Sequence, residues 1–389
     1  MNKIVRTLVP VILAIIFIAG CSEGNVTGNA EGAAEVITVV DVLDREVEIE
    51  GTVDEVYYGF YYENLLAVAG PDIFKKVKAT SLYDTEGYFL SLSEMYREHV
   101  EGYADMVDIG STLQDNFDVE KLLEVDVDVV ILGAYQYDML GDSISVIENA
   151  GIPVVVIDYT TGSMELQVES TEILGKVFGK EDRANELIDN YQSNYREIEE
   201  RLEASSVKPK IFAEFHTTIS SYKDIGTSGG EGSFLGNYLE KSGGDNIMVG
   251  FMEDSNKPTI DPEYLLEEDP SYLVFVGGES NGASKEGIIL GHQITAEELV
   301  DSAKGILKNR PGWSELEAVK NNQIYVIDDA IARTLADYTI VQYLAKAMYP
   351  EEMTGIDPLE NLKQYYGEFL PTLPLEGAFF YQLHADEIQ

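Results

Sequence analysis

The apolar and polar positions between residues 119 and 158 follow a pattern of helix, strand, helix and strand. Residues 127–132 form a β-branched run that is typical of a strand buried on both faces. Residues 143–150 have helical spacing and end at Gly151, a residue that favours a helix C-terminus. Residues 152–158 then form a second apolar run. The pattern predicts a βαβ unit, and therefore a parallel sheet with a right-handed crossover.

A long helical pattern follows over residues 164–204, interrupted at Gly179. The alternation of strands and helices then restarts, with apolar runs at residues 209–215, 272–276 and 323–327. Residues 36–49 predict a β-hairpin, and helical patterns follow at 61–69, 72–78 and 91–102. The predicted class is α/β. Its segments are an N-terminal lobe (36–163), a spine helix and a following helix (164–204), a C-terminal lobe (205–350) and a tail with a helix and aromatic residues (351–389).

The N-terminus resembles an export signal. Lys3 and Arg6 precede an apolar stretch at residues 8–19, which is too short to span a bilayer comfortably. Small residues then lead to Cys21, the single cysteine of the chain, in a pattern that resembles a lipobox. We expect a signal peptide over residues 1–20, a lipid on Cys21 and a flexible tether over 21–35. A plain signal peptide or a short anchor helix is the alternative.

The charge balance limits the possible partners. The chain has 70 acidic and 26 basic residues and a formal net charge of -44, which excludes nucleic acid as a probable ligand. The sequence contains no phosphate loop, nucleophile elbow or His-Glu metal helix, so we do not expect an enzyme. The glycine-rich stretch at 226–232 could bind an anion, but it lacks the lysine of a phosphate loop, which favours a flexible cleft loop.

Five short motifs occur in a fixed order along the chain. They are the hairpin at 38–47, the segment at 116–123 before the Asp128 strand, Ala-Gly-Ile-Pro-Val at 150–154, Gly-Gly-Asp-Asn-Ile at 243–247, and Arg-Pro-Gly-Trp at 310–313 with the strand at 325–328. In this order the chain resembles the periplasmic-binding-protein family of iron-siderophore and cobalamin ABC importers, in its lipoprotein form. The resemblance covers residues 38–350, with Val127 in place of the usual proline and a departure at residues 57–108.

The resemblance implies two Rossmann-like lobes with parallel sheets, joined by a single long spine helix. It implies an extracytoplasmic solute-binding protein, lipid-anchored to the outer face of the cell membrane and monomeric. Such a protein captures an iron chelate, either a ferric siderophore or haem, and delivers it to a permease and its ATPase, with no permanently bound cofactor. A cobalamin-binding protein of the same class, or a surface sensor or adhesion module on the same fold, is the alternative.

A chelate site needs aromatic faces and a few polar groups, and loops after parallel strands meet at one sheet edge. This predicts ligand contacts from tyrosines at the cleft loops, from a histidine after the strand at 209–215, which is a possible metal ligand, and from an arginine after the last strand. The candidates are Tyr83, Tyr88, Tyr135, Tyr137, Tyr159, His216 and Arg333.

Two glutamates match a different feature of the family. Glu120 and Glu263 each lie at the predicted first turn of a helix that precedes a buried strand. The resemblance implies that one acidic residue on each lobe docks onto arginines of the permease. A carboxylate at a helix N-terminus also stabilises the helix by itself, so a purely structural role is the alternative.

Overall fold

The computed structural model describes residues 36–216, 221–223, 225–226, 230, 233–249, 260–279 and 286–389. The strands are β1 Val36–Val40, β2 Glu46–Glu50, β3 Val56–Tyr58, β4 Val77–Thr80, β5 Val107–Asp108, β6 Val129–Gly133, β7 Val154–Ile157, β8 Lys210–Phe215, β9 Asp245–Asn246, β10 Tyr272–Gly277, β11 Gly291–His292, β12 Ile324–Asp328, β13 Gly377–Ala378 and β14 Phe380–Leu383.

The α-helices are α1 Tyr62–Ala69, α2 Leu82–Glu86, α3 Leu90–His99, α4 Val119–Val125, α5 Ala134–Leu140, α6 Ser143–Asn149, α7 Met164–Val177, α8 Glu181–Leu202, α9 Phe234–Lys241, α10 Pro262–Glu268, α11 Ala296–Ala303, α12 Ile306–Asn309, α13 Glu317–Lys320, α14 Tyr338–Met348 and α15 Pro358–Phe369. Within the described residues, no helix is long and apolar enough to cross a membrane.

The first lobe is built on a parallel sheet with the strand order β5-β4-β3-β6-β7. The predicted βαβ unit is confirmed, since β6 and β7 pair in parallel and α6 lies between them in sequence. The predicted helix over residues 72–78 is wrong in its second half. A 3-10 turn over Pro71–Lys75 leads there into strand β4, which at four residues is too short to show a period of two.

The second lobe contains the sheet β14-β12-β10-β8-β9. Strands β12, β10, β8 and β9 are parallel, and β14 joins the edge in the antiparallel direction, with Ile324 opposite Leu383. The C-terminal tail contains the expected helix, α15, and also supplies this edge strand. It therefore completes the second sheet and covers the edge of β12, which would otherwise expose unpaired backbone groups.

The predicted spine helix is confirmed as α7, a helix of 14 residues that is about 21 Å long. Its N-terminus is capped by the Ser163 hydroxyl, which accepts a hydrogen bond from the backbone N–H of Leu166. The chain turns at Gly179, where φ is 62°, and returns as α8. The two helices approach closely at Gly175, because a Cβ atom there would lie 2.7 Å from the Cβ of Ala184.

A buried carboxylate connects the spine helix to the second lobe. Asp337 precedes α14 and has no exposed surface. It accepts hydrogen bonds from Gln167 Nε2 of α7 (2.7 Å), the Tyr195 hydroxyl of α8 (2.9 Å) and the Tyr238 hydroxyl of α9 (2.9 Å). Burial raises the pKa of Asp337 to about 6, while nearby Lys241 and these hydrogen bonds oppose the rise. Four helices thus meet at one side chain.

The second lobe contains a buried ion pair between Glu214 of β8 and Arg310. The two side chains are 0% and 2% exposed, and both terminal guanidinium nitrogens of Arg310 donate to the carboxylate. Arg310 Nε also donates to the Tyr222 carbonyl oxygen at 2.6 Å, and the guanidinium lies 4.2 Å above the ring of Trp313. The Arg-Pro-Gly-Trp motif therefore has a structural role in the core of this lobe.

Replacing Arg310 with alanine should lower the free energy of unfolding by roughly 3–5 kcal/mol, because Glu214 would remain buried without its partner. The control is Lys304→Ala, which removes a pair with Asp301 whose side chains are 61% and 58% exposed. That change should cost little, because solvent screens an exposed pair. Urea unfolding followed by circular dichroism measures both variants. Equal, small losses would show that the buried pair does not stabilise the lobe.

Candidate functional site

A cavity of about 210 Å³ lies where the two lobes face each other. Strand ends of both sheets meet there: Phe60 follows β3, Thr160 follows β7, Phe215 ends β8 and Asp329 follows β12. This is where parallel α/β sheets bind ligands. The lining residues are Phe60, Asp84, Tyr88, Phe89, Leu113, Tyr135, Thr160, Phe215, Asp329 and Arg333.

The wall of the cavity on the first lobe is aromatic and centres on Phe60. Its ring lies 6.1 Å from that of Phe89 and 6.4 Å from that of Tyr135, in the latter case edge to face. Phe60 and Phe89 also line a smaller neighbouring cavity of about 30 Å³, together with Arg333. Sequence analysis missed Phe60 because it follows β3, a strand of three residues that gives no periodic signal.

Arg333 supplies a cationic group on the second-lobe side. Its side chain is 17% exposed and forms an ion pair with Asp329, whose carbonyl oxygen also accepts from Arg333 Nη1 at 2.9 Å. The guanidinium lies 4.6 Å from the ring centre of Phe234 and 5.6 Å from that of Phe89. The arginine is therefore held in place by a carboxylate and by two aromatic rings, one from each lobe.

Asp84 places a carboxyl group in the wall, and sequence analysis did not identify it. The residue is 1% exposed and accepts hydrogen bonds from Gln136 Nε2 at 2.9 Å and from the Ser111 hydroxyl. Burial raises the pKa of Asp84 to about 6, and the bonds from Ser111, Gln136 and Tyr135 oppose the rise. A Cβ atom at Gly59 would overlap the amide of Gln136, so a side chain there would displace the group that donates to Asp84.

The tyrosines that were predicted to contact the ligand lie in different parts of the structure. Tyr88 and Tyr135 line the cavity, as does the predicted Arg333. Tyr83 is not one of the lining residues, and its ring lies edge-on to that of Tyr88, with 6.0 Å between the ring centres. Tyr137 instead lies under the guanidinium of Arg45 at 4.5 Å. The expected cleft loop is the start of helix α5, where residues two apart point about 200° apart. Tyr135 and Tyr137 therefore face different surroundings.

Tyr159 and His216 are placed differently from the expectation that they face the cleft, because both are fully buried. The Tyr159 hydroxyl bonds to that of Thr171 at 3.0 Å. The His216 ring packs 4.7 Å from the ring of Phe275, with Nε2 3.4 Å from the Glu214 carboxylate. Burial lowers the pKa of His216 despite this neighbour. Across the described ranges, no group of three or more His, Cys, Asp or Glu side chains could hold a metal ion.

Buried hydrogen bonds hold the two lobes together beside the cavity. Asn64 of α1 donates to the Arg333 carbonyl oxygen at 2.8 Å and accepts from the Leu335 N–H at 3.1 Å. Next to it, Glu63 accepts a hydrogen bond from the Tyr366 hydroxyl of α15. Glu63 is 4% exposed, and this burial raises its pKa to about 7. The first helix of the first lobe is thus fixed to the second lobe through polar groups.

Glu120 and Glu263 are exposed and lie in the first turns of α4 and α10, as expected. Each helix has an aspartate cap: Asp118 accepts from the Lys121 N–H at 3.0 Å, and Asp261 accepts from the Glu263 N–H at 2.9 Å. The two helices precede the equivalent strands β6 and β10 of the two sheets. Neither glutamate lines the cavity between the lobes, and their docking role stays a prediction.

Two expectations concern parts of the chain that the structure does not describe. Cys21, the expected lipidation site, lies outside the described residues, as does most of the glycine-rich stretch. Of that stretch, Gly226 accepts a backbone hydrogen bond from Phe215 at 3.0 Å, which places its start beside the end of β8.

The geometry agrees with comparisons to known proteins. Residues 56–331 match the model of the periplasmic binding protein family, and the chain belongs to this family. An uncharacterised ABC transporter substrate-binding lipoprotein of Bacillus subtilis is 24% identical over 240 residues, which cover 61% of this chain and 66% of that protein. The match thus spans slightly less than two thirds of this relative.

Other relatives have names that specify different ligands. A molybdate-binding protein of Haemophilus influenzae is 22% identical over 283 residues, covering 66% of this chain and 71% of that protein. An iron(3+)-hydroxamate-binding protein of B. subtilis is 22% identical over 339 residues, covering 84% and 90%. The crystal structure of a TroA-like periplasmic binding protein from Veillonella parvula is 24% identical, with a TM-score of 0.78, and covers 90% of this chain and 100% of that one. This last likeness supports the two-lobed α/β fold.

The buried Glu63 should make stability depend on pH. The pKa of Glu63 is about 7 in the folded protein, raised from 4.5. The protonated side chain therefore stabilises the fold fully below pH 4.5, and this stabilisation is lost as the pH rises through 7. Glu63→Gln keeps an acceptor for Tyr366 and removes the titration. The difference in free energy of unfolding between the variant and the unmodified protein should increase in favour of the variant by up to about 3 kcal/mol from pH 5 to pH 8, because the unmodified protein loses stability over this range.

Urea unfolding at both pH values tests this prediction. The control is Glu98→Gln on α3, since the Glu98 side chain is 69% exposed and its replacement should change the pH dependence little. A Glu63→Gln variant that follows the pH profile of the unmodified protein would contradict the assignment of this titration to Glu63.

Proposed function

We propose that this protein is the solute-binding component of an ABC importer and that it captures a metal chelate, specifically an iron chelate, in the cavity between the lobes. The observation that carries the proposal is the aromatic wall of Phe60, Tyr88, Phe89 and Tyr135, in a cavity where the carboxyl ends of parallel strands from both sheets meet. Aromatic faces suit the organic shell of a chelate, and a few polar groups orient it. A cavity of about 210 Å³ encloses part of such a ligand and leaves the rest toward solvent.

An oxyanion is the second candidate, because Arg333 lines the cavity and one relative is named as molybdate-binding. The charges of the described lining favour the chelate. Arg333 is already paired with Asp329, and Asp84 adds a second carboxyl group. A bare oxyanion would meet repulsion from these carboxylates, whereas a neutral or positively charged chelate would not.

The proposed partners follow from this function. The protein would deliver the chelate to a permease with its ATPase, as a monomer tethered by a lipid on Cys21 to the outer face of the cell membrane. Glu120 and Glu263, exposed on equivalent helices of the two lobes, would contact the permease. A sensor or adhesion module would use the same cavity without transport, so uptake measurements separate the two functions.

Calorimetric titration of the full chain in detergent with a ferric trihydroxamate, haemin, cobalamin and sodium molybdate tests the ligand class. We expect the ferric hydroxamate to bind and molybdate not to bind. If molybdate alone bound, the chelate proposal would be wrong and the protein would be an oxyanion-binding protein.

Tyr135→Ala should weaken chelate binding by roughly 1–3 kcal/mol, because it removes an aromatic wall of the cavity. Tyr137→Ala is the matched control: it lies on the same helix, two residues further on, and packs under Arg45 instead. Its effect on affinity should be small. The same titration measures both variants. Equal losses, or none for Tyr135→Ala, would place the ligand elsewhere.

The double variant Glu120→Ala, Glu263→Ala should bind the chelate normally and transport it poorly, because two permease contacts would lose their charge. Each helix should lose only about 0.3–1 kcal/mol from its N-terminal turn. The control is Glu124→Ala, Glu267→Ala, which removes exposed glutamates one turn further along the same helices. Uptake of the radiolabelled chelate by cells gives the comparison. Equal uptake by both double variants would contradict the docking assignment.

A further inference from the structure

Asp84 is a buried carboxyl group whose hydrogen-bond partners among the described residues carry no positive charge. The partners are the hydroxyl of Ser111, the amide of Gln136 and the hydroxyl of Tyr135. Across the cavity, the guanidinium of Arg333 is bound to Asp329. A carboxylate removed from water is costly unless a cation compensates it. Among the described residues that line the cavity, Asp84 is thus the charged group that lacks an opposite partner.

The surroundings of Asp84 suit a cation. Tyr88, Phe89 and Tyr135 line the same cavity and present aromatic side chains. The faces of aromatic rings attract organic cations, and a cage of such rings is a known means of binding an ammonium group. The net charge of -44 adds a long-range attraction for positive ligands. The cavity therefore combines one uncompensated carboxyl group with several aromatic rings.

We propose that Asp84 is a specificity-determining residue that receives a positively charged group of the solute, so that the site selects a chelate bearing an organic ammonium over a neutral or anionic one. This inference rests on the proposed function and specifies the chemical class of the ligand. In this proposal the guanidinium of Arg333 does not bind the solute as an unpaired cation. It remains paired with Asp329 and forms the opposite wall.

A structural role for Asp84 makes a different prediction. The side chain connects α2 to Ser111 and to Gln136 of α5, and this connection alone could explain its burial. The variant Asp84→Asn separates the two roles. An asparagine oxygen can accept from Gln136 while its amide donates to the Ser111 oxygen, so the connection survives and the charge is lost.

The test uses two probes that differ in one charge. One is a linear ferric trihydroxamate with a terminal primary ammonium, and the other is the same chelate with that amine acetylated. At pH 7.5 the unmodified full chain should bind the ammonium form on the order of tenfold more tightly than the acetylated form. Asp84→Asn should bind both forms with affinities similar to that of the unmodified protein for the acetylated form. Calorimetric titration measures all four affinities.

The opposite outcomes overturn the inference. Equal binding of both probes by the unmodified protein would show that the charge is not recognised, and equal weakening of both by Asp84→Asn would show a structural role. Failure to bind either chelate would contradict the proposed function. Pentylammonium and N-pentylacetamide, followed by ligand-observed NMR, then test Asp84 without iron. No preference for pentylammonium in that experiment would overturn this inference as well.

The pH dependence provides a second readout. Only the ionised carboxylate attracts the cation, and burial raises the pKa of Asp84 to about 6. Affinity for the ammonium chelate should therefore fall as pH decreases through 6, by about fivefold between pH 7 and pH 5, because the full effect of the charge is about tenfold and a small ionised fraction remains at pH 5. The groups that face Asp84 are Asp108, Tyr57, Tyr88 and Tyr135, with Asp329 and Arg333 across the cavity.

The Asp84→Asn variant controls for titration of these neighbours, since they remain in it. Its affinity should change less than about threefold over the same range. A parallel decrease in both proteins would assign the pH dependence to another group.

Discussion

The position of the spine helix depends on the hydrogen bonds of Asp337. A carboxylate without exposed surface must be satisfied within the protein, and here donors from α7, α8 and α9 converge on it at the start of α14. Because these bonds are directional, they fix the angles between the helices more closely than apolar packing alone. The other side of α7 packs on α1, β1 and β7 of the first lobe. One buried side chain therefore connects the spine helix, which packs on the first lobe, to helices α9 and α14 of the second lobe.

The cavity between the lobes is fixed at its edge by polar bonds of α1. Asn64 bonds to backbone groups on both sides of Thr334, and Glu63 bonds to Tyr366. These contacts tie the first lobe to the 3-10 helix Ile331–Arg333 and the residues after it, so the aromatic wall and the arginine are held together before any ligand binds. A preformed wall loses little conformational entropy on binding. This agrees with a single spine helix that permits little relative movement of the lobes.

The sequence predicted the elements whose signals are long. The strands β6 and β7 are rich in β-branched residues, and β10 is a continuous apolar run. The spine helix has a capping serine and a terminating glycine, so local and tertiary preferences agree in all of these elements. The strands β3 and β4 contain three and four residues, which is too few to show a period. The site was harder to predict because the direction in which a side chain points depends on the secondary structure at that residue. Tyr135 and Tyr137 were equivalent as loop residues but differ on a helix, and one residue of shift separates the cavity residue Phe215 from the buried His216.

Three buried carboxyl groups illustrate how an acidic chain satisfies charges in its interior. Glu214 is paired with the cationic Arg310, and Asp337 accepts hydrogen bonds from hydroxyl and amide donors with the positive charge of Lys241 nearby. Both lie in the core, where the protein itself must supply every partner. The described residues that donate hydrogen bonds to Asp84 are all neutral, and Asp84 lies in the wall of a cavity. The first two arrangements are complete without a ligand, whereas an ionised Asp84 would be stabilised further by a cation from outside. That difference separates a carboxyl group that stabilises the fold from one that is suited to recognise a solute.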